Sequence, residues 1–278
     1  MNMGLVSLKT VLDLAQEGEF AIPAFNVYNM ETVMGVAQAA EELQAPVIFQ
    51  IYSRLFDSPG ASYLAALIRQ AATKLSVPVA FHLDHGASIV QVTRALTSGC
   101  SGIMIDASKL TLEENIATTK SVVRMSGHVG VPVEGELGHV GSANDESMAQ
   151  FTDVEEAAIF CQKTGVAALA IMVGTAHGRY RQAPQLDFEC IAAIRRKTGV
   201  PLVLHGGSGV PDEQIRAAID AGIRKVNFGT DLCYAFLDRI FDTKRDPVAI
   251  DIFMQGPIAA VKSFAREKIK LTGAGRYV

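Results

Sequence analysis

Eight short runs of apolar, often β-branched residues recur along the chain, separated by longer stretches of helical period. The runs are Phe20 to Phe25, Val47 to Ile51, Val79 to Leu83, Gly102 to Ile105, Val131 to Glu136, Ala168 to Val173, Leu202 to His205 and Lys225 to Phe228. A strand that is apolar on both faces needs cover on both, and strands that alternate with helices join into a parallel sheet. Eight such units are the number that closes into a barrel, so the pattern predicts an α/β fold, a (β/α)8 TIM barrel spanning residues 1–278 as a single domain. The helices between have recognisable ends. Glu31 to Leu43 stops before Ala45-Pro46, and Pro211 to Ala221 has proline in its first turn and Gly222 at its stop. An open doubly wound sheet is the competitor, but it usually carries a glycine fingerprint after its first strand, and Phe25-Asn26-Val27-Tyr28-Asn29 has none. After the eighth run, Asp231 to Asp242 and Pro257 to Leu271 read as helices, and a glycine-bearing tail follows. The polar segment Val140 to Phe151, poor in helix formers, reads as a mobile active-site loop leaving the fifth strand.

Charge and cysteine content narrow the function. The net charge is -4, with acids and bases mixed and no Lys/Arg block to meet a run of phosphates, which argues against nucleic acid. No apolar run approaches the ~20 residues that span a bilayer, and the N-terminus lacks the pattern of a signal peptide, so the expectation is a cytoplasmic protein without a membrane partner. Cys100, Cys161, Cys190 and Cys233 are widely spaced, with no C-x-x-C pair, and read as reduced packing residues.

In a barrel the reactive face is the set of strand C-terminal ends. Asp84 and His85 close the third run, Glu134 and Glu136 the fifth, His177 follows the sixth, His205 ends the seventh, and Asn227 to Asp231 end the eighth. A lone histidine is more often an ordinary hydrogen-bonded residue. Three at corresponding strand ends point to a catalytic metal, because three neutral nitrogens leave a tetrahedral zinc one open position. His82 reads as an orienting neighbour, His128 as a surface residue, and His139 as a loop contact. Gly206, Gly207, Ser208 and Gly209, with the backbone N–H groups of Gly229 and Thr230 before a helix, suit a phosphate; tight βα turns alone would also explain one of these loops.

HLDHGAS, VEGELG, GTAHGRY, PLVLHGGSGVP and KVNFGTDL stand in this order, and together they resemble the successive motifs of the class II, zinc-dependent fructose-bisphosphate and tagatose-bisphosphate aldolases. The resemblance implies that His85, His177 and His205 ligate Zn2+, that Asp84 is the catalytic acid/base, and that Glu136 is an alternative metal ligand. It also implies that Gly178, Gly206, Gly207, Ser208, Asn227, Phe228, Gly229 and Thr230 hold dihydroxyacetone phosphate. Some relatives carry a monovalent cation, Na+ or K+, near the phosphate loops, and homodimers or homotetramers are common among them. A Schiff-base lysine is the other way to build an aldolase. No lysine stands at a strand C-terminal end, and Lys225 reads as opening the eighth strand on the wrong face.

Departures from the family pattern concern the aldehyde half of the substrate. Where relatives often carry an Asn-x-Ser-x-Gly type segment, this chain has Tyr52-Ser53-Arg54. The loop expected to bring a second acid/base has its acids displaced, leaving Glu146 or Asp145 as candidates, and Arg179 and Arg181 follow the third motif's His-Gly. Solvated arginines are the commoner case. A carboxylated sugar held by Arg54, Arg179 or Arg181, with Ser53 nearby, is the alternative reading, because a guanidinium fork matches a carboxylate. The expected reaction is reversible cleavage of a ketose 1-phosphate or bisphosphate to dihydroxyacetone phosphate and an aldehyde. A tagatose- or fructose-1,6-bisphosphate aldolase proper, a zinc hydrolase, and a noncatalytic subunit that stabilises an aldolase are the alternatives.

Overall fold

Each of the eight apolar runs becomes a strand: β1 (Ile22–Asn26), β2 (Val47–Tyr52), β3 (Val79–Gly86), β4 (Gly102–Ile105), β5 (Val133–Leu137), β6 (Ala168–Ile171), β7 (Leu202–Leu204) and β8 (Ile223–Phe228). The computed structural model describes residues 4–138, 151–176, 178, 180, 183–244 and 249–276. The strands pair in chain order, and β8 pairs in parallel with β1, Ile22 opposite Lys225, so the sheet closes into a barrel without an edge. Nearly every strand position is buried, which is why the runs show no polar alternation.

Helices α2 (Met30–Glu42), α3 (Gly60–Ala72), α4 (Ile89–Ser98), α5 (Leu112–Gly127), α6 (Val154–Thr164), α7 (Phe188–Thr198) and α8 (Asp212–Ala221) follow β1 to β7 in turn. Their ends carry local signals. Asn29 and Thr32 form a capping box at α2, as do Thr111 and Glu114 at α5, and Gly99, Gly165 and Gly199 close α4, α6 and α7 in the left-handed conformation. The preceding helix α1 (Leu8–Glu17) covers the N-terminal end of the barrel: Leu8, Val11, Leu12 and Ala15 are buried, and the Leu8 N–H donates to the Ser101 carbonyl at 2.9 Å.

After β8 come α9 (Thr230–Asp242) and α10 (Ile250–Thr272). Pro257 does not open the last helix, as the sequence suggests, but lies inside it. Its fixed φ suits a helix, but it loses the bond to the preceding turn and its ring crowds the carbonyl four residues back. Tight packing on α2 carries α10 through that point. A Cβ on Gly35 would stand 2.6 Å from Val261 Cγ1, and Glu42 pairs with Lys262 and Arg266 at 2.7 and 2.9 Å. Among the described residues no helix is long and apolar enough to cross a membrane. The four cysteines are free, with Cys100 and Cys161 buried.

Candidate active site

The barrel interior is polar where branched apolar side chains would ordinarily fill it. Asn26, Gln50, His82, Asp84, Glu134, Glu136, His205, Lys225 and Asn227 are all buried. Their contacts join strands that are not neighbours: Lys225 Nζ on β8 lies 2.8 Å from Glu134 Oε2 on β5, and Asn227 Nδ2 donates to Asp84 Oδ1 on β3 at 3.3 Å. Such contacts can only cross the interior. Lys225 is therefore the third residue of its strand and points into the barrel, a correction to its expected placement. The strand begins at Ile223, and a two-residue error in a boundary conceals which positions face inward. Its ammonium is ion-paired below the reactive face, so its exclusion as a Schiff-base lysine stands on a different ground.

Asp84 and His85 are consecutive, and regular strand geometry would send them to opposite faces. The pairing of β3 with β4 shifts register between Leu83 and Gly86, and His85 adopts φ +49°, a left-handed conformation rare for a residue with a side chain. This bulge turns the imidazole inward beside the Asp84 carboxylate. Gly86 is required there, because a Cβ would stand 2.5 Å from the Met104 carbonyl oxygen and 2.8 Å from Leu83 Cδ2.

His85 and His205 meet above the interior with Nε2 of one 2.8 Å from Nδ1 of the other. Each ring is held from behind by a carboxylate: Asp106 Oδ2 lies 2.9 Å from His85 Nδ1, and Glu134 Oε1 lies 2.8 Å from His205 Nε2. A carboxylate accepts, so the nitrogen facing it carries the proton, and opposite nitrogens of the two rings face each other. Burial lowers the His85 pKa, but the charges of Asp84, Glu136 and Asp106 and the hydrogen bond to Asp106 outweigh it and raise the value to about 9. Burial would raise Asp106, yet its bonds to His85 and Ser108 hold it well below the usual carboxylate range. Glu136 Oε2 lies 3.6 Å from His205 Nδ1 and 3.9 Å from His85 Nδ1. Asp84, His85 and His205 offer atoms within 4.8 Å of one another, as do His85, Asp106 and Glu136. Two imidazoles with flanking carboxylates are a donor set that suits zinc, and both rings already have the supports that orient metal-binding histidines.

Both oxygens of Asp84 are engaged by amides: Asn26 Nδ2 donates to Oδ2 at 2.7 Å and Asn227 Nδ2 to Oδ1. Gln50 Nε2 donates in turn to Asn26 Oδ1 at 3.2 Å. At the loops after β7 and β8 the glycines have packing reasons of their own. A Cβ on Gly206, at φ +66°, would meet the Ala176 carbonyl oxygen at 2.3 Å, and one on Gly207 would meet Val226 Cγ1 at 2.6 Å. The Gly207 N–H donates to Asn227 O and the Gly209 N–H to Asp231 Oδ2, so neither is left for an anion. Gly229 precedes α9 without a side-chain cap, which leaves Thr230 in an open first turn, and Ser208 Oγ accepts from the Asp231 N–H at 3.2 Å. The Phe228 side chain is fully buried and stacks on Phe25, so only its backbone borders this loop. Tyr180 ties the loops after β6 and β7 together, its hydroxyl accepting from the Ala176 N–H at 2.7 Å and donating to Gly206 O at 2.9 Å. Gly178, between them, has φ +105°.

On the side of β1 and β2, Tyr52 is paired in register with Asp84, and its ring centre is 5.9 Å from that of His85. The Arg54 guanidinium lies 5.1 Å from the Tyr52 ring centre and 5.9 Å from that of Tyr28, and among the described residues no carboxylate pairs with it. Ser53 beside it is buried. His177, Arg179, Arg181, Glu146, Asp145 and His139 lie outside the described residues. Asp106 and Asn26 escaped sequence reasoning, although each is the polar residue at a strand's C-terminal end, the same signal that singled out Asp84 and His205. His128 is exposed at the end of α5.

Residues 6–276 match the family described as Fructose-bisphosphate aldolase class-II. The chain is 37% identical over 279 residues to the D-tagatose-1,6-bisphosphate aldolase subunit GatY of Klebsiella oxytoca, covering 98% of both. It is 39% identical over 241 residues to the sulfofructosephosphate aldolase of Alkalicoccus urumqiensis, covering 85% of this chain and 84% of that one. The crystal structure of the YdjI aldolase from Escherichia coli superimposes with a TM-score of 0.89 at 37% identity, over 98% of each chain.

Proposed function

Since the chain belongs to the class II fructose-bisphosphate aldolase family, and is thereby a carbon–carbon lyase, we propose that it reversibly cleaves a ketose 1-phosphate or ketose bisphosphate to dihydroxyacetone phosphate and an aldehyde. The observation that carries this reading is the convergence of His85, His205 and Asp84 at one point of the barrel mouth. The family is generally zinc-dependent, and here His85 and His205, completed by His177, are the proposed ligands, with Glu136 as the alternative one. Zinc held there supplies Lewis-acid polarisation of the ketone and offsets the negative charge left when the carbon–carbon bond breaks.

Asp84 is the proposed base, taking the proton from the hydroxyl that becomes the aldehyde and returning it in synthesis. Asn26 and Asn227 hold its carboxylate from both sides, so it is aimed before substrate arrives. The open first turn of α9 at Gly229 and Thr230, with Ser208, Gly178, Gly206 and the backbone at Asn227 and Phe228, forms the proposed phosphate site, which Gly207 borders without donating its engaged N–H. A monovalent cation, Na+ or K+, belongs to the same proposal, and the buried Thr175 hydroxyl, which has no hydrogen-bond partner among the described residues, is an available ligand. Glu146, which follows β5 in the chain, is the proposed second acid/base. A cytoplasmic homodimer or homotetramer completes the reading.

The substrate's other end is proposed to be anionic, in the first instance a carboxylated sugar. Arg54, fixed on two aromatic rings and without a carboxylate partner among the described residues, supports this, with Arg179, Arg181 and Ser53 as further contacts. The two relatives' names also describe ketose phosphates bearing a second anionic group. The test is a retro-aldol screen of the zinc-loaded protein across neutral, phosphorylated and carboxylated ketose 1-phosphates, monitored by dihydroxyacetone phosphate release. Release from acid-bearing substrates is the expected result. Release from none, with no proton exchange on dihydroxyacetone phosphate, overturns the reading.

A further inference from the structure

The ion pair of Lys225 and Glu134 lies deeper than any group assigned to substrate, and both side chains are fully buried. A buried ion pair is a weak source of stability, since desolvating two charges offsets their attraction, so its presence calls for another reason. We infer that Lys225 and Glu134 are positioning residues that fix the tautomer of His205, so that Nδ1 is presented bare to the metal. The inference rests on the zinc reading above.

The two ligand histidines are supported unequally. Asp106, behind His85, is 21% exposed and so keeps contact with solvent, whereas Glu134, behind His205, is 0% exposed. Lys225 Nζ holds Glu134 at 2.8 Å by the oxygen not used by His205, which leaves Oε1 aimed at His205 Nε2. Without Lys225, nothing would hold the Glu134 carboxylate against His205 Nε2, and the ring would be free to carry its proton on Nδ1 and close that nitrogen to zinc. Among the described residues no other group hydrogen-bonds to the carboxylate. The His82 ring stands 3.6 Å from Glu134 Oε2, too far for a hydrogen bond, and neither of its nitrogens has a partner among the described residues. Lys225 thus acts through Glu134 on which nitrogen of His205 carries the proton and which faces the mouth of the barrel bare.

Long-range 1H–15N NMR of the metal-free protein, with His205 signals identified by their loss in His205→Gln, is expected to show the ring proton on Nε2. The variant carrying Glu134→Met and Lys225→Met removes both charges at similar volume, and its fold is checked by circular dichroism and melting temperature. Its zinc affinity, measured by competition with a chromophoric chelator, is expected to be about 10- to 100-fold weaker, with an altered Co2+ spectrum. A wild-type His205 without a proton on Nε2, or a folded double variant that binds zinc like the wild type, overturns the inference. If the double variant does not fold, the wild-type tautomer decides alone. Failure of the wild-type protein to bind zinc overturns the functional reading instead.

Discussion

His85 and His205, on β3 and on the turn leaving β7, point different ring nitrogens at the same place, Nε2 from one and Nδ1 from the other, 2.8 Å apart. The mismatch follows from where their supports lie. Asp106 reaches the Nδ1 side of His85 from the end of β4, while Glu134 reaches the Nε2 side of His205 from within β5. The barrel therefore turns opposite nitrogens of two rings toward one place by supporting each ring from a different strand, and this arrangement is built into the sheet.

Metal uptake should depend on pH. The His85 pKa is raised to about 9, so below that pH the metal-free ring carries an extra proton that zinc must displace. Zinc affinity should rise by about tenfold per pH unit between neutrality and pH 9 and then level off, with proton release seen by calorimetry in buffers of different ionisation enthalpy. Stability of the metal-free protein should move the other way. A group whose pKa rises on folding, here from 6.5 to about 9, stabilises fully below pH 6.5 and loses that contribution as pH climbs through 9. A melting temperature that does not fall over this range, in protein stripped of metal, would contradict the assignment.

The β3 bulge can be tested at Gly86. Its Cβ would fall 2.5 Å from the Met104 carbonyl oxygen, a backbone atom that cannot swing away, so Gly86→Ala must displace either β4 or the bulge. We expect a loss of about 1–3 kcal/mol in urea unfolding, typical of overpacking, together with weaker zinc binding because His85 turns away. Unchanged zinc affinity in the folded variant would mean that His85 does not depend on the bulge.

These two features mark the limit of what the sequence discloses. The eight strands were legible because fully buried parallel strands leave apolar runs, and the strand-end rule located Asp84, His85, Glu136 and His205 without knowledge of contacts. Applied at β1 and β4, the same rule would have found Asn26 and Asp106. The inward turn of His85 was not legible, since a bulge between Leu83 and Gly86 depends on how β3 registers with β4. Lys225 was misplaced for a related reason: which face a strand residue takes depends on pairing, and β8 starts two residues earlier than its apolar run. Pro257 misled because local propensity yields to packing where α10 meets α2.

Asp84→Asn should separate chemistry from binding. The substitution keeps the shape of the side chain and removes the base; its oxygen still accepts from Asn26, and its NH2 meets Asn227, whose amide must turn to present Oδ1. We expect kcat for retro-aldol cleavage to fall by about a hundred- to ten-thousand-fold, with zinc affinity within a factor of a few of the wild type. Stopped-flow cleavage assays and chelator competition on one preparation make the comparison. A comparable loss in both quantities would assign Asp84 to the metal rather than to proton transfer.

Arg54 tests the acceptor end. Its guanidinium rests on Tyr28 and Tyr52, and Tyr52 is the β2 residue in register with Asp84, so an anion on Arg54 would lie one aromatic ring away from the proposed base. A charge-assisted hydrogen bond to such an anion is worth ~1.5–3 kcal/mol, so Arg54→Ala should lower kcat/KM for acid-bearing ketose 1-phosphates by about 10- to 100-fold. Neutral ketose 1-phosphates, which have nothing to place there, should be cleaved at nearly the wild-type rate, and their comparison removes any general effect on folding or zinc. Arg54→Lys should recover only part of the loss, since an ammonium retains the charge but lacks the planar fork that stacks on the rings. Equal losses for neutral and acidic substrates would show that Arg54 supports the loop after β2 and does not recognise the substrate.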